Sequence, residues 1–268
     1  METSSIVFRV LMYILIILVL YYVYKFLYGD SWAQKDIVVY SASSNTNGMP
    51  SNNSDITTIT TGVPQIYPGG EYSISTWIYV NGWSTTKNKP FLTLSGGGSF
   101  QTLVLFLGKT TNKLGVRIST GNPTNPPRLT LTEMPKITAG SMTPYRDDDM
   151  EKCDIESVDL QKWVNITVVL MGTTVDVYMD GKLARSCVYT TTFNADGNTP
   201  TIKLGGPDAF SGFIGLTRAA NFAYSPDIVY SHYQKGPFTG FSLSSLNPLS
   251  YDLTLSSNGT TVFSTGNN

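Results

Sequence analysis

Apolar and polar positions alternate with a period of two from Trp163 to Cys187, in a longer run and with better-marked turns than elsewhere in the chain. Val164, Ile166, Val168 and Leu170 fall on one face of an extended segment, and Trp163, Asn165 and Thr167 on the other, the pattern of a half-buried strand. Gly172 permits a reversal, after which Thr173, Val175, Val177 and Met179 alternate with Thr174, Asp176, Tyr178 and Asp180 in a second strand. Asp180-Gly181 tolerates the positive φ angles of a tight hairpin and leads into a third strand, Lys182 to Val188. A three-stranded antiparallel meander with one apolar face must bury it against another layer. The predicted fold is therefore all-β, an antiparallel β-sandwich.

The same spacing extends that body in both directions. Tyr72 to Val80 is rich in β-branched and aromatic residues and follows the Pro68-Gly69-Gly70 turn. Phe91–Leu94, Phe100–Leu107, Lys113–Ser119, Thr201–Leu204 and Phe210–Phe222 continue the series, with shorter candidates at Asp36–Ser41 and Ile56–Thr61. Ser225 is placed to cap a short helix to Gln234, with Pro226 in its first turn. Between Gly121 and Lys162 the alternation gives way to Pro-rich and acidic loop, and residues 42–55 are too polar to pack.

At the N-terminus Ile6 to Leu27 forms a nearly continuous apolar run, uncharged from Val10 to Tyr24. As a helix it would span about 33 Å, enough for a hydrocarbon core of roughly 30 Å if Arg9 and Lys25 reach outward. Tyr21, Tyr22, Tyr24, Tyr28 and Trp32 suit a headgroup interface. A cleaved signal peptide is the alternative, since Ser31 and Ala33 are small enough to flank a cleavage site. The expected organisation is a transmembrane anchor at 1–34, a polar linker with the first strand at 35–60, the sandwich at 61–237, and an extended low-charge tail at 238–268.

Composition narrows the function. Charged residues make up 14% of the 268, well under the roughly 25% of ordinary soluble domains. Such a surface is either covered by partners or dressed with something else. The net charge is −1 and the cations are scattered, so nucleic acid is excluded as a partner. The single histidine, His232, cannot support a Ser-His-Asp triad or a multi-histidine metal site comfortably. Asp147, Asp148 and Asp149 offer the hard oxygen ligands calcium takes, although their spacing matches no defined calcium loop and a solvated acidic loop explains them as well. No other cofactor is expected. Asn52, Asn165 and Asn258 each begin an N-x-S/T triplet and are candidate glycosylation positions, Asn165 only if its strand face is bare.

Gly69-Gly70-Glu71-Tyr72 with Ser75 to Tyr79, the block from Cys153 to Cys187 with Trp163 and Asp180-Gly181-Lys182-Leu183, and the run Phe210, Gly212, Arg218, Asn221, Ser225, Pro226 to Lys235-Gly236-Pro237 resemble the laminin-G-like, concanavalin A-like jelly-roll proteins of large DNA viruses. The resemblance implies two apposed antiparallel sheets and, from the virion members of that group, a structural or attachment role. It also places cysteines where Cys153 and Cys187 stand. A bridge between them would be worth roughly 3–4 kcal/mol and would need an oxidising compartment; two buried thiols are the alternative. Glucanases on this scaffold carry E-x-D-x-x-E on one strand, a pattern this chain lacks, so catalysis is not expected.

Two functions follow as expectations. One is a non-enzymatic minor capsid protein of a large DNA virus, a single-pass membrane protein of the virion that links the capsid shell to an inner bilayer. Its partners would be lipid, through the N-terminal helix, and other capsid proteins. The alternative is a membrane- or virion-displayed lectin-like module, with Trp83, Tyr145 and Asp147 to Asp149 near the glycan.

Overall fold

A computed structural model of the chain describes residues 2–28, 34–41, 57–83, 85–95, 100–120, 153–195, 199–206, 208–238, 254–257 and 260–264. In order they form α1 (Glu2–Tyr28), β1 (Asp36–Tyr40), β2 (Thr57–Ile59), β3 (Glu71–Gly82), β4 (Lys89–Ser95), β5 (Leu103–Leu107), β6 (Leu114–Ile118), β7 (Trp163–Met171), β8 (Thr174–Met179), β9 (Lys182–Val188), β10 (Thr201–Leu204), β11 (Ser211–Ala220), α2 (Pro226–Gln234), β12 (Thr254–Ser257) and β13 (Thr260–Ser264). One sheet has six strands in the order β1-β11-β3-β7-β8-β9, a second has five in the order β2-β10-β4-β5-β6, and β12 pairs only with β13. All pairings are antiparallel. The all-β sandwich predicted from the alternation is the observed architecture. Its sheets include β1 and β2 from the stretch before residue 61.

The main core lies between the sheets. Tyr72, Ile74, Ile78 and Val80 of β3, Val164 to Leu170 at alternate positions of β7, and Val175 and Val177 of β8 meet Phe91 and Leu94 of β4, Leu103, Leu105 and Leu107 of β5, and Ile202 and Leu204 of β10. The meander forms as its turn residues require: Gly172 has φ 58°, and Asp180 and Gly181 have φ 49° and 75°, the paired positive values of a two-residue hairpin.

One expectation about the meander is corrected. β7 is buried on both faces along its interior, because α2 packs on the outer face of the six-stranded sheet. There Val169, Tyr178, Ala220, Tyr224 and Val229 form a second small core, and Tyr233 stacks on Trp77 with ring centroids 5.6 Å apart. The Ile228 N–H donates to the Ser225 hydroxyl, Pro226 occupies the first turn and Asp227 adds negative charge there, so the helix starts where the sequence signals it. Under this helix Asn165 is fully buried, its amide donating to Ser75 Oγ at 3.1 Å and its carbonyl oxygen accepting from Thr167 Oγ1. Asn165 is therefore not available for glycosylation.

The N-terminal run forms the expected helix. α1 is a helix, but among the described residues no helix is long and apolar enough to cross a membrane. The described side chains of this helix run without a break from Leu11 to Tyr24. Those side chains are nonetheless all exposed and all apolar or aromatic.

A polar latch fastens β1 to α2. The Asp36 carboxylate faces His232 Nε2 at 3.0 Å and Arg218 at 3.5 Å, and accepts from the Tyr224 hydroxyl at 2.9 Å. Burial acts to raise the Asp36 carboxyl, but the hydrogen bonds from His232 and Tyr224 and the charges of His232 and Arg218 outweigh it and hold it below the ordinary value. A depressed carboxylate stabilises the fold above its unfolded value of about 4 and loses that contribution as pH falls through the folded one. Urea midpoints should therefore fall as pH is taken below about 4, and fall less steeply in Asp36→Asn.

Cys153 and Cys187 are joined by a disulfide, with Cα atoms 5.8 Å apart. It ties edge strand β9 to the segment whose Ile155 pairs with Leu114 of β6, and so links the two sheets. Replacing both cysteines by serine should cost roughly 3–4 kcal/mol in urea denaturation, by release of loop-closure entropy.

Candidate functional site

Alternation along β3 sends Trp77, Tyr79 and Asn81 to the same outer face of the six-stranded sheet. The Tyr233 ring of α2 closes over Trp77. In the next cross-strand row Tyr79 is paired with Trp163 on β7 and with Phe213 on β11. Three aromatic rings thus stand side by side across three adjacent strands. Their centroids are 5.6 Å apart for Tyr79–Trp163 and 6.2 Å for Tyr79–Phe213.

A bulge in β11 supplies the fourth wall. Ile214 pairs with Ile78 and Thr217 with Thr76, so β11 carries one extra residue there. The Leu216 N–H is directed at the chain leaving α2, donating to the Pro237 carbonyl at 2.7 Å. That bond carries Phe238 to the Trp163 ring, edge to face at 5.4 Å. Gly215 makes the close approach possible, since a Cβ there would lie 2.8 Å from the Pro237 oxygen and 3.0 Å from both the Trp163 ring and Trp77 Cβ. Gly215→Val is expected to displace Phe238 or Trp163 and deform the cleft. The check is a loss of tryptophan fluorescence signal on ligand titration.

The result is an open cleft of about 330 Å³ lined by Tyr79, Asn81, Trp163, Phe213 and Phe238. Phe238 is 43% exposed. Ring faces of this kind bury apolar CH surface, while the Asn81 amide can both donate and accept. Concave, mainly aromatic walls with one convergent polar group are what a small-ligand site requires. No lining residue is charged. Lys162, next in sequence to Trp163, is held by Asp159 at 2.6 Å and Asp180 at 3.6 Å.

The residues expected to contact a glycan are not those of the cleft. The Lys89 ammonium sits 4.0 Å from the centroid of the Trp83 ring, and Trp83 Nε1 donates to the Lys109 carbonyl at 3.3 Å. Trp83 is partly buried and packs against the main core. Lys89 is itself buried, bonded to the Gly108 carbonyl at 2.8 Å, and its ammonium is pushed down to about 8 by burial. Tyr145, Asp147, Asp148, Asp149, Asn52 and Asn258 lie outside the described residues. Among the described residues no group of three or more His, Cys, Asp or Glu could hold a metal ion. His232 is 6% exposed and belongs to the Asp36 latch. What sequence reasoning missed was the pairing register. Trp163 was already assigned to the face opposite the apolar set, but only the β3 and β11 partners show that it joins a row.

Solved structures share parts of this architecture at low identity. The chain is 12% identical to a Trypanosoma rangeli sialidase in complex with 2,3-difluorosialic acid, with a TM-score of 0.42 over 65% of this chain and 24% of that one. It is 12% identical to the binding domain of botulinum neurotoxin DC in complex with SialylT, with a TM-score of 0.43 over 62% and 35%. For the botulinum neurotoxin type G receptor binding domain the figures are 12%, 0.42, 75% and 42%. The chain thus spans less than half the length of each of these structures. No curated protein matches it. Residues 51–229 match the sequence profile of the laminin G type described as the concanavalin A-like lectin/glucanases superfamily, and the chain belongs to that superfamily.

Proposed function

We propose that this protein is a carbohydrate-binding, lectin-like module that performs no catalysis. The observation carrying this reading is the half-buried row of Phe213, Tyr79 and Trp163, flanked by Phe238 and Asn81. Aromatic rings presented side by side offer flat apolar surface to the CH faces of a pyranose, and an amide at the margin can meet its hydroxyls. Membership of a superfamily of lectins and glucanases supports the same reading. Binding is favoured over hydrolysis because glycosidases flank the scissile bond with two carboxyl groups roughly 5–9.5 Å apart, and no carboxylate lines this cleft. Among the described carboxylates, Asp154, Asp36 and Asp180 are engaged by cations or hydrogen bonds. The disulfide fits display in an oxidising compartment. Screening the full chain against a glycan array tests the reading. Binding by the native chain that Tyr79→Ala abolishes supports it, and an array without any bound glycan contradicts it.

A second reading, a structural protein of a virion held against capsid neighbours, draws on a different observation. The apolar residues Leu11 to Tyr24 of α1 are exposed on every side of the helix, and such a helix is stable in water only when something covers it. Retention of the chain on particle shells after detergent extraction would favour this reading, and release would count against it.

A further inference from the structure

The chemistry of the cleft restricts the sugars it can take. We infer, resting on the carbohydrate-binding reading above, that the ligand is a neutral glycan and that the cleft discriminates against sialylated and other acidic sugars. Five side chains line it, and their only polar groups are the Tyr79 hydroxyl, the Trp163 indole N–H and the Asn81 amide. A carboxylate laid against this surface would give up water and meet no cation among the lining residues, a loss that the neutral sugar does not incur. The adjacent ammonium, Lys162, is already shared between Asp159 and Asp180, so the charge next to the cleft is more than compensated. Both carboxylates would also repel an acidic ligand, Asp180 being fixed by the Asn165 N–H at 2.9 Å on the hairpin beside Trp163.

The selectivity comes from exclusion as well as attraction. Neutral pyranoses present an apolar CH face to Tyr79 or Trp163 and keep their hydroxyls toward Asn81 or solvent. Acidic sugars can do the same only with their charge held off the aromatic row.

The test uses the full chain in mild detergent and matched glycan pairs on several cores, each neutral member differing from its partner only by a terminal sialic acid. Titration calorimetry is run on every core that binds, at low and at high salt. The expected result is binding of neutral members at least about tenfold tighter than their sialylated partners, with little dependence on salt for the neutral ones. Equal or tighter binding of the sialylated members, weakened by salt, would overturn this inference and leave the carbohydrate-binding reading standing. Absence of binding to every glycan would overturn both. A neutral glycan bound equally by the native chain and by Tyr79→Ala would show recognition elsewhere on the molecule and would also overturn the assignment to this cleft.

Discussion

Trp163→Ala is expected to weaken glycan binding about 30-fold or more, the scale of about 2 kcal/mol for a buried aromatic anchor. Trp163 contacts two other walls, tilted on Tyr79 and edge to face with Phe238, and is the ring on which Phe238 is seated. Its removal takes away one platform and the surface against which Phe238 is seated. Trp163→Phe keeps a π face at the same register position and should retain most of the affinity. Calorimetric titration of both variants checks this, with urea denaturation run alongside to separate lost affinity from lost fold. Equal affinities for native and Trp163→Ala chains would show that the aromatic row is only packing.

The largest expected effect on stability lies at Asp154. Its carboxylate is 1% exposed and faces the Arg117 guanidinium, 0% exposed, in a two-pronged ion pair whose longer arm is 3.1 Å. Lys113 approaches at 3.3 Å and the Val116 N–H donates to the same group at 3.0 Å. Removing one partner of a buried ion pair takes away the closest compensation of the other charge, which costs about 3–5 kcal/mol. Asp154→Ala should lower stability by that amount, against the roughly 5–15 kcal/mol that holds a typical domain. The double change Asp154→Leu with Arg117→Met should recover most of the loss, because both members of the fully buried pair are removed together and Lys113, 22% exposed, still reaches water. Urea midpoints of the three chains decide the matter. A loss below about 1 kcal/mol in Asp154→Ala would mean that Arg117 reaches solvent when its partner is gone.

The sandwich was legible because its determinants are local. Period-two alternation from Val164 to Val177, the Asp180-Gly181 turn and the Ser225-Pro226 start of α2 are written in consecutive residues, and each appears where it was expected. The burial of Asn165 and Thr167 was not legible, since polar residues on alternate positions read as a solvent face. Only the packing of α2, far along the chain, puts them under cover. The cleft failed for a related reason. Phe213, Tyr79 and Trp163 are scattered through the sequence, and nothing in any one segment says that registers Tyr79↔Trp163 and Phe213↔Tyr79 coincide. Phe238 reaches the row through a β11 bulge and a single bond to Leu216, features that one residue of slippage would erase. Trp83 drew attention because a tryptophan in a polar loop suggests recognition, yet its ring is spent on a buried ammonium. The apolar N-terminal run was legible as a helix because its apolar character is continuous from Val10 to Tyr24.

The most direct trial of the aromatic-row assignment is a crystal structure of the chain with the tightest neutral glycan from the array. The account predicts a pyranose ring lying flat over Tyr79 or Trp163, with a hydroxyl within hydrogen-bonding distance of the Asn81 amide. Sugar density seated in the loops around Trp83, with the row of Phe213, Tyr79 and Trp163 bare, would contradict it.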